Sequence, residues 1–439
     1  MMKELSRGDR SDAMPSIRHS FPMGLLPSGA SIRSGSLYVA GVEIKRVAEE
    51  IGTPFFIYDE DHIRTTIRDA KGAFSGDIAF ASKAFLCKAM AQLALEEGIL
   101  LDVASIGEMY VAHAGGFPGD RMILHGNNKS DQELAFALEI GVGRIVIDSF
   151  DEIDRLESLA KADEPVSVWL RVTPGVEAHT HEYVMTGQED TKFGFSYSAG
   201  AAEEAIELLL SSKKIRLLGL HSHIGSQIFM LDSFKAQFDV MAELIKRYGF
   251  LELNLGGGLG VAYIDGEEAP AIADWVSMAE SYAKNSGLPD NLRLVLEPGR
   301  AIIARSAITV YRVGTIKRLK GIRTYVSIDG GMSDNPRPVL YESGYEAILP
   351  ERMNDVSDTI YTISGKHCES GDIVVSSALL PSDLAVGELL ATPVTGAYGY
   401  SMASNYNKVG RPPVVFAKDG RYRVVVRRET LGDLLRLEQ

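Results

Sequence analysis

The sequence predicts an α/β fold: a (β/α)8 TIM-type barrel with a second, mostly β-strand domain formed by the C-terminal part and an N-terminal strand. Three observations carry this. Between Ile78 and Leu296, eight apolar runs are each followed by a stretch with apolar residues at three- and four-residue spacing, the alternation of a parallel barrel. Polar residues gather at or just past the C-terminal ends of those runs. After Arg300 the texture becomes alternating and β-branched, as in Ala307-Ile308-Thr309-Val310-Tyr311.

Taken in order, residues 1–34 are rich in Ser, Arg, Gly and Met without a period, and read as a loose extension. Residues 35–54 begin with Leu37-Tyr38-Val39-Ala40, a strand assigned to the second domain, followed by a helical pattern that Gly52 and Pro54 stop. The barrel is placed at 55–304, starting at Phe55-Phe56-Ile57-Tyr58. Its eight runs are Ile78–Ala81, Leu100–Ala104, Met122–Leu124, Ile145–Ile147, Val166–Val172, Leu217–His223, Leu251–Leu255 and Leu292–Leu296. Residues 305–439 form the β domain, where Asp419-Gly420 between two apolar runs marks a hairpin.

Composition narrows the function. With 439 residues, 45% apolar and 24% charged, the chain is an ordinary globular protein long enough for two domains. Acidic residues outnumber basic ones by 59 to 45, for a net charge of −14, which argues against nucleic acid or an anionic membrane as partner. Cys87 and Cys368 are too few for a disulfide framework, and no apolar run reaches membrane-spanning length. A small-molecule ligand and a cytoplasmic location are therefore expected.

Lys83 closes the first barrel run. A lysine at such a tip is poorly solvated, which is expected to lower its pKa and leave an amine able to form an imine. The loop Gly256-Gly257-Gly258-Leu259-Gly260 follows the seventh run, where barrels commonly bind phosphate. Glu297-Pro298-Gly299-Arg300 closes the eighth, and a carboxylate there could keep a pyridine nitrogen protonated. Lysine, glycine run and carboxylate together describe pyridoxal phosphate. His221-Ser222-His223 keeps a competing reading open, since two histidines on one strand face suit a Zn²⁺-dependent hydrolase with His125 as a further ligand. His179 and His181 lie on a polar segment, so a loop role is expected for them.

Further motifs bring in a resemblance. HGNNKS at 125–130, HSHIGSQ at 221–227, GGGLG at 256–260, EPGR at 297–300, CESGD at 368–372, GAYGYSMASNYN at 396–407 and the run Asn335–Tyr341 stand in the order found in diaminopimelate decarboxylases. From about Leu37 to the C-terminus the chain resembles that family, whose members combine an alanine-racemase-like barrel with a β domain. The resemblance implies that Lys83 carries pyridoxal 5′-phosphate as an imine, that His223 stacks on its ring, and that Gly256, Gly257, Gly258, Gly260 and Ser226 hold its phosphate. Glu297 would contact the pyridine nitrogen, with Pro298, Gly299 and Arg300 in the same cofactor-facing turn. Arg300, Arg337 and Tyr341 would grip the distal carboxylate of meso-2,6-diaminopimelate, Glu369 its distal ammonium, and Tyr398 both cofactor and substrate. Cys368 would reach in from the second subunit of a homodimer as proton donor, completing the last step of lysine biosynthesis. One departure is Ala84-Phe85-Leu86-Cys87 after the lysine, where many relatives have Ala-Asn. It bears on packing rather than mechanism.

Overall fold

In the computed structural model, which describes residues 17–176 and 190–439, eight parallel strands close into a barrel. They are Asp77–Ala81, Leu100–Val103, Met122–Leu124, Arg144–Ile147, Val166–Thr173, Ile215–His221, Glu252–Asn254 and Arg293–Leu296, and the last returns to the first through Val295 opposite Asp77. Every predicted run is one of these strands. The sixth begins and ends two residues earlier than expected, so His223 sits in the loop beyond its tip.

Barrel strands are buried on both faces, which is why they read as continuous apolar runs. Ala79, Ile123, Val146, Trp169 and Val295 point inward and pack together as a core of their own, while residues such as Phe80 and Leu101 face the surrounding helices. Serines in the loops after three strands start the next helices. Ser105, Ser130 and Ser149 each accept a hydrogen bond from the backbone amide three residues on, which fixes the strand-to-helix turn at the barrel mouth. At the opposite end, Glu252 accepts from Arg144 and from Trp169 Nε1, both at 2.6 Å. That end is tied by ion pairs.

The second domain is one sheet built around the long strand Ala307–Leu319. Arg323–Ile328, Thr359–Ser364 and Ile373–Leu380 extend it on one side, and Leu389–Pro393 pairs with its first half. On the other side lies Phe55–Asp59, followed by Val414–Lys418 and Arg421–Val426. The hairpin is as expected, with both Asp419 (φ +51°) and Gly420 (φ +71°) left-handed.

Three expectations about the N-terminal part are corrected. The sequence pattern places Phe55–Asp59 in the barrel, but it pairs with Ala307–Val310 and with Val414–Ala417 inside the second sheet. All five of its residues are buried, a pattern common to barrel strands and central sheet strands. Leu37–Ala40 does not extend that sheet. Ser36–Val39 pairs with Ala30–Arg33 and Val42–Glu43 in a three-stranded sheet, which meets the second domain through Leu37 N to Pro350 O and Gly420 N to Ala40 O. Part of the supposed loose extension is therefore packed, with Leu25 and Leu26 buried.

Candidate active site

A cavity of about 320 Å³ opens at the C-terminal mouth of the barrel. Lys83 stands on a single 3-10 turn, Ser82–Ala84, directly after the first strand. Protein surrounds it on all sides, yet 49% of its side-chain surface faces the cavity. Its Nζ lies 3.8 Å from Asp102 Oδ2, brought alongside because Ala81 pairs with Asp102. Burial alone would depress the lysine pKa. Asp102, helped by Tyr398 and Glu297, outweighs burial and holds the pKa above the ordinary lysine value. The expected depression is thus reversed: the amine is charged until a neighbouring base takes its proton.

Glu297, wholly enclosed at the tip of the eighth strand, is clamped from three sides. His125 Nε2 stands 2.9 Å and Asn254 Nδ2 2.6 Å from its Oε1, while His221 Nε2 approaches Oε2 at 3.3 Å, off the line of a hydrogen bond. Burial opposes the charge on this carboxylate, but His125, by charge and by hydrogen bond, outweighs it and holds Glu297 well below the usual carboxylate range. Burial pushes His221 down to about 3, so this ring is neutral. His223 is also held well below the usual imidazole range, by burial and then by Lys83 and Arg171. The two histidines diverge: His221 joins His125 and Glu297, with donor atoms all within 4.8 Å, whereas His223 Nδ1 accepts from the amide of Gly257 at 3.3 Å. A zinc pair made of His221 and His223 is not what this strand tip builds. His179 and His181 lie outside the described residues.

The glycine loop meets the opposite loops backbone to backbone. A Cβ on Gly257 would stand 2.2 Å from Glu297 O, and one on Gly258 2.4 Å from Gly225 O. Gly257 and Gly258 line the cavity with Ser226, and Arg300 donates to Ser226 Oγ at 3.0 Å and to Tyr263 OH at 2.7 Å. Gly256 and Gly260 stand behind: the amide of Gly256 goes to Asn254 Oδ1 at 2.8 Å, and that of Gly260 to Ile228 O at 2.9 Å. Tyr398, left-handed at φ +61°, donates its amide to Ala84 O at 2.8 Å and stacks under Arg300, 4.7 Å from guanidinium carbon to ring centre. A phosphorylated pyridine aldehyde fits this donor set. Side-chain-free backbone and a serine suit its phosphate, the lysine its aldehyde, and Glu297 Oε2 its ring nitrogen, since Oε1 is already committed to two donors.

Comparison with known proteins agrees with this geometry. The family described as pyridoxal-dependent decarboxylase, pyridoxal binding domain, matches residues 60–304. A diaminopimelate decarboxylase from Bacillus subtilis is 46% identical over 419 residues, covering 92% of this chain and 95% of that protein. The chain belongs to the diaminopimelate decarboxylase family. Among solved structures, the diaminopimelate decarboxylase from M. jannaschii superposes with a TM-score of 0.86 at 29% identity, covering 94% of this chain and 98% of that one. The Helicobacter pylori enzyme, complexed with L-lysine, gives 0.81 at 31% identity, covering 90% and 98%.

Of the residues singled out in the sequence, Lys83, His223, Ser226, Gly257, Gly258, Glu297, Pro298, Gly299, Arg300 and Tyr398 line the one cavity. Arg337 lies beyond its rim, 4.3 Å from the ring centre of Tyr263 and bonded to Tyr345 OH at 2.9 Å. Tyr341, Cys368 and Glu369 do not line it in the single chain. Cys368 and Glu369 are exposed, and Glu369 accepts from Tyr406 OH at 3.3 Å. Sequence reasoning missed Asn254, Tyr263 and Tyr345. Asn254 carried a legible signal, a polar residue ending the seventh apolar run; the tyrosines carried none.

Proposed function

We propose that this decarboxylase-family protein converts meso-2,6-diaminopimelate to L-lysine and carbon dioxide, removing the carboxylate at the D centre, with pyridoxal 5′-phosphate held at Lys83. The observation that carries the reading is the convergence of Lys83, Glu297 with its two donors, and the Gly257-Gly258 loop on one cavity. When bound, the cofactor supplies an electrophilic carbon and a protonated ring that takes up the electron pair left by carbon dioxide.

The chain's own groups do the rest. Asp102, 3.8 Å from Lys83 Nζ, pairs with that amine whenever it is free and can accept its proton when the amine must act. His125 and Asn254 hold Glu297 by Oε1, which leaves Oε2 as the atom that would keep a proton on the bound cofactor's ring nitrogen. Arg300 and Arg337, bracketing Tyr263, receive the distal carboxylate, and substrates without that carboxylate would leave two cations unanswered. Glu369 takes the distal ammonium. Cys368, exposed and far from its own cavity in sequence, serves as acid in the partner's site of a homodimer, returning a proton to the carbon that lost carbon dioxide. The L-lysine in the Helicobacter pylori relative has the chemistry of the product assigned here. No described helix is long and apolar enough to cross a membrane, and two free thiols fit a reducing cytoplasm.

The test is to incubate the purified, cofactor-loaded protein with meso-diaminopimelate and follow carbon dioxide and lysine together. Equal release of both is expected, and borohydride should fix the cofactor on Lys83. A colourless protein that requires Zn²⁺, or one releasing neither product, would falsify the reading.

A further inference from the structure

We propose that Asn254 is a positioning residue that locks the glycine loop to Glu297, so that the subsites for phosphate and ring nitrogen are held at one fixed separation. This rests on the cofactor placement above.

Asn254 ends the seventh strand and is wholly buried. Its amide nitrogen donates to Glu297 Oε1 at 2.6 Å, and its amide oxygen accepts from Gly256 N at 2.8 Å. The circuit closes through the backbone, because Glu297 N donates to Gly256 O at 2.8 Å. Three hydrogen bonds thus join three residues in a ring, and Gly256 is gripped at both its N–H and its carbonyl. Its left-handed φ of +65° turns the next two glycines toward the cavity. Among the described residues, Asn254 is the side chain that hydrogen-bonds both the loop and the carboxylate.

The chemistry of the amide matters as much as its place. Phosphate and ring nitrogen belong to one rigid molecule, so a site that lets the loop and Glu297 drift apart loses alignment at one end or the other. Leucine would leave both partners a bond short. Aspartate keeps the acceptor for Gly256 N but sets a second carboxylate against Glu297 at the distance of a hydrogen bond, where the two charges repel until one takes a proton. An amide alone donates to one partner while accepting from the other without adding charge.

The experiment compares Asn254→Asp and Asn254→Ala with wild type, each as cofactor-loaded enzyme. Asn254→Asp should bind cofactor within about threefold of wild type, because the loop keeps its acceptor, while kcat falls at least tenfold near neutral pH with little change in KM. Its activity relative to wild type should rise as pH falls, since the introduced carboxyl, once protonated, donates to Glu297 as the amide does. The other titratable groups that face Glu297, namely His125, His221, His223, Asp102, Lys83 and Arg171, are the same in both proteins, so the ratio isolates the substitution. Asn254→Ala loses both bonds and should weaken cofactor binding at least tenfold as well. Should the alanine variant not fold, the aspartate variant decides alone, as it keeps the side-chain shape. A wild-type kcat in Asn254→Asp, or a loss that does not change with pH, would overturn the proposal. Failure of wild type itself to decarboxylate diaminopimelate would instead overturn the function on which it rests.

Discussion

Gly257→Ala puts one methyl group where the barrel has no room for it. The new Cβ would lie 2.2 Å from Glu297 O and 3.0 Å from its carbonyl carbon, both main-chain atoms that cannot swing aside. An ordinary carbon–oxygen contact is about 1 Å longer, so the loop must lift off the eighth strand. The first bond at risk is Glu297 N to Gly256 O. Overpacking of this kind costs about 1–3 kcal/mol, and the bond about 1 kcal/mol more. Together, about 2–4 kcal/mol corresponds to a loss of cofactor affinity between roughly 30-fold and 1,000-fold. Absorbance titration of the cofactor-free protein with pyridoxal phosphate measures this directly, with the melting temperature checking that the variant is folded. Gly260→Ala is the control, because its Cβ meets nothing nearer than 3.2 Å and its amide is turned to Ile228, away from the cavity. It should cost less than tenfold. Affinity within threefold of wild type in a folded Gly257→Ala protein would refute the placement of the phosphate at this loop.

Further outcomes follow from the same geometry. Arg337→Ala should cut kcat/KM for diaminopimelate by about 2–5 kcal/mol worth of rate while leaving the cofactor's absorbance intact, since Arg337 stands outside the cavity beside Tyr263; bleaching of the cofactor in this variant would contradict that. Lys83→Ala and Cys368→Ala should each be nearly inactive, yet mixing and refolding them should restore about a quarter of wild-type activity, because roughly half the dimers are mixed and each has one intact site of two; no recovery, with mixed dimers demonstrated, would place both residues in one chain's site. Asp334, raised to about 7 by burial against the opposing hydrogen bonds of Tyr311 and Gly331, binds a proton in the folded protein that the unfolded chain has already lost above its usual 3.8. Its contribution to stability is full below about pH 4 and declines as pH rises to about 7, by about 4 kcal/mol in all. Unfolding midpoints measured from pH 5 to 8 should fall less steeply in Asp334→Asn than in wild type, and parallel slopes would show the carboxyl does not titrate there.

The barrel was legible because strands buried on both faces read as apolar runs, and because chemistry collects at one end of them. Lys83, Glu297 and the glycine loop could be found for the same reason. What escaped depends on partners remote in sequence. The pKa of Lys83 turns on Asp102, which reaches it only through the pairing of Ala81 with Asp102. Tyr263 and Tyr345 matter because they surround Arg337, a meeting that no spacing within either segment announces. Phe55–Asp59 reads as a barrel strand because buried strands look alike wherever both faces are covered.

That misplaced strand has a consequence for how the protein is made. Phe55–Asp59 is an interior strand of the second sheet, flanked by Ala307–Val310 on one side and Val414–Ala417 on the other. A ribosome releases it before any of the barrel and supplies its last neighbour only after all eight barrel strands. Throughout that interval a strand that is apolar but for Asp59 at its end waits with one or both edges open, an invitation to pair with the wrong chain. Termination anywhere between Leu296 and Val414 would leave a barrel with all eight strands, and beside it a sheet that can never close over its own oldest segment.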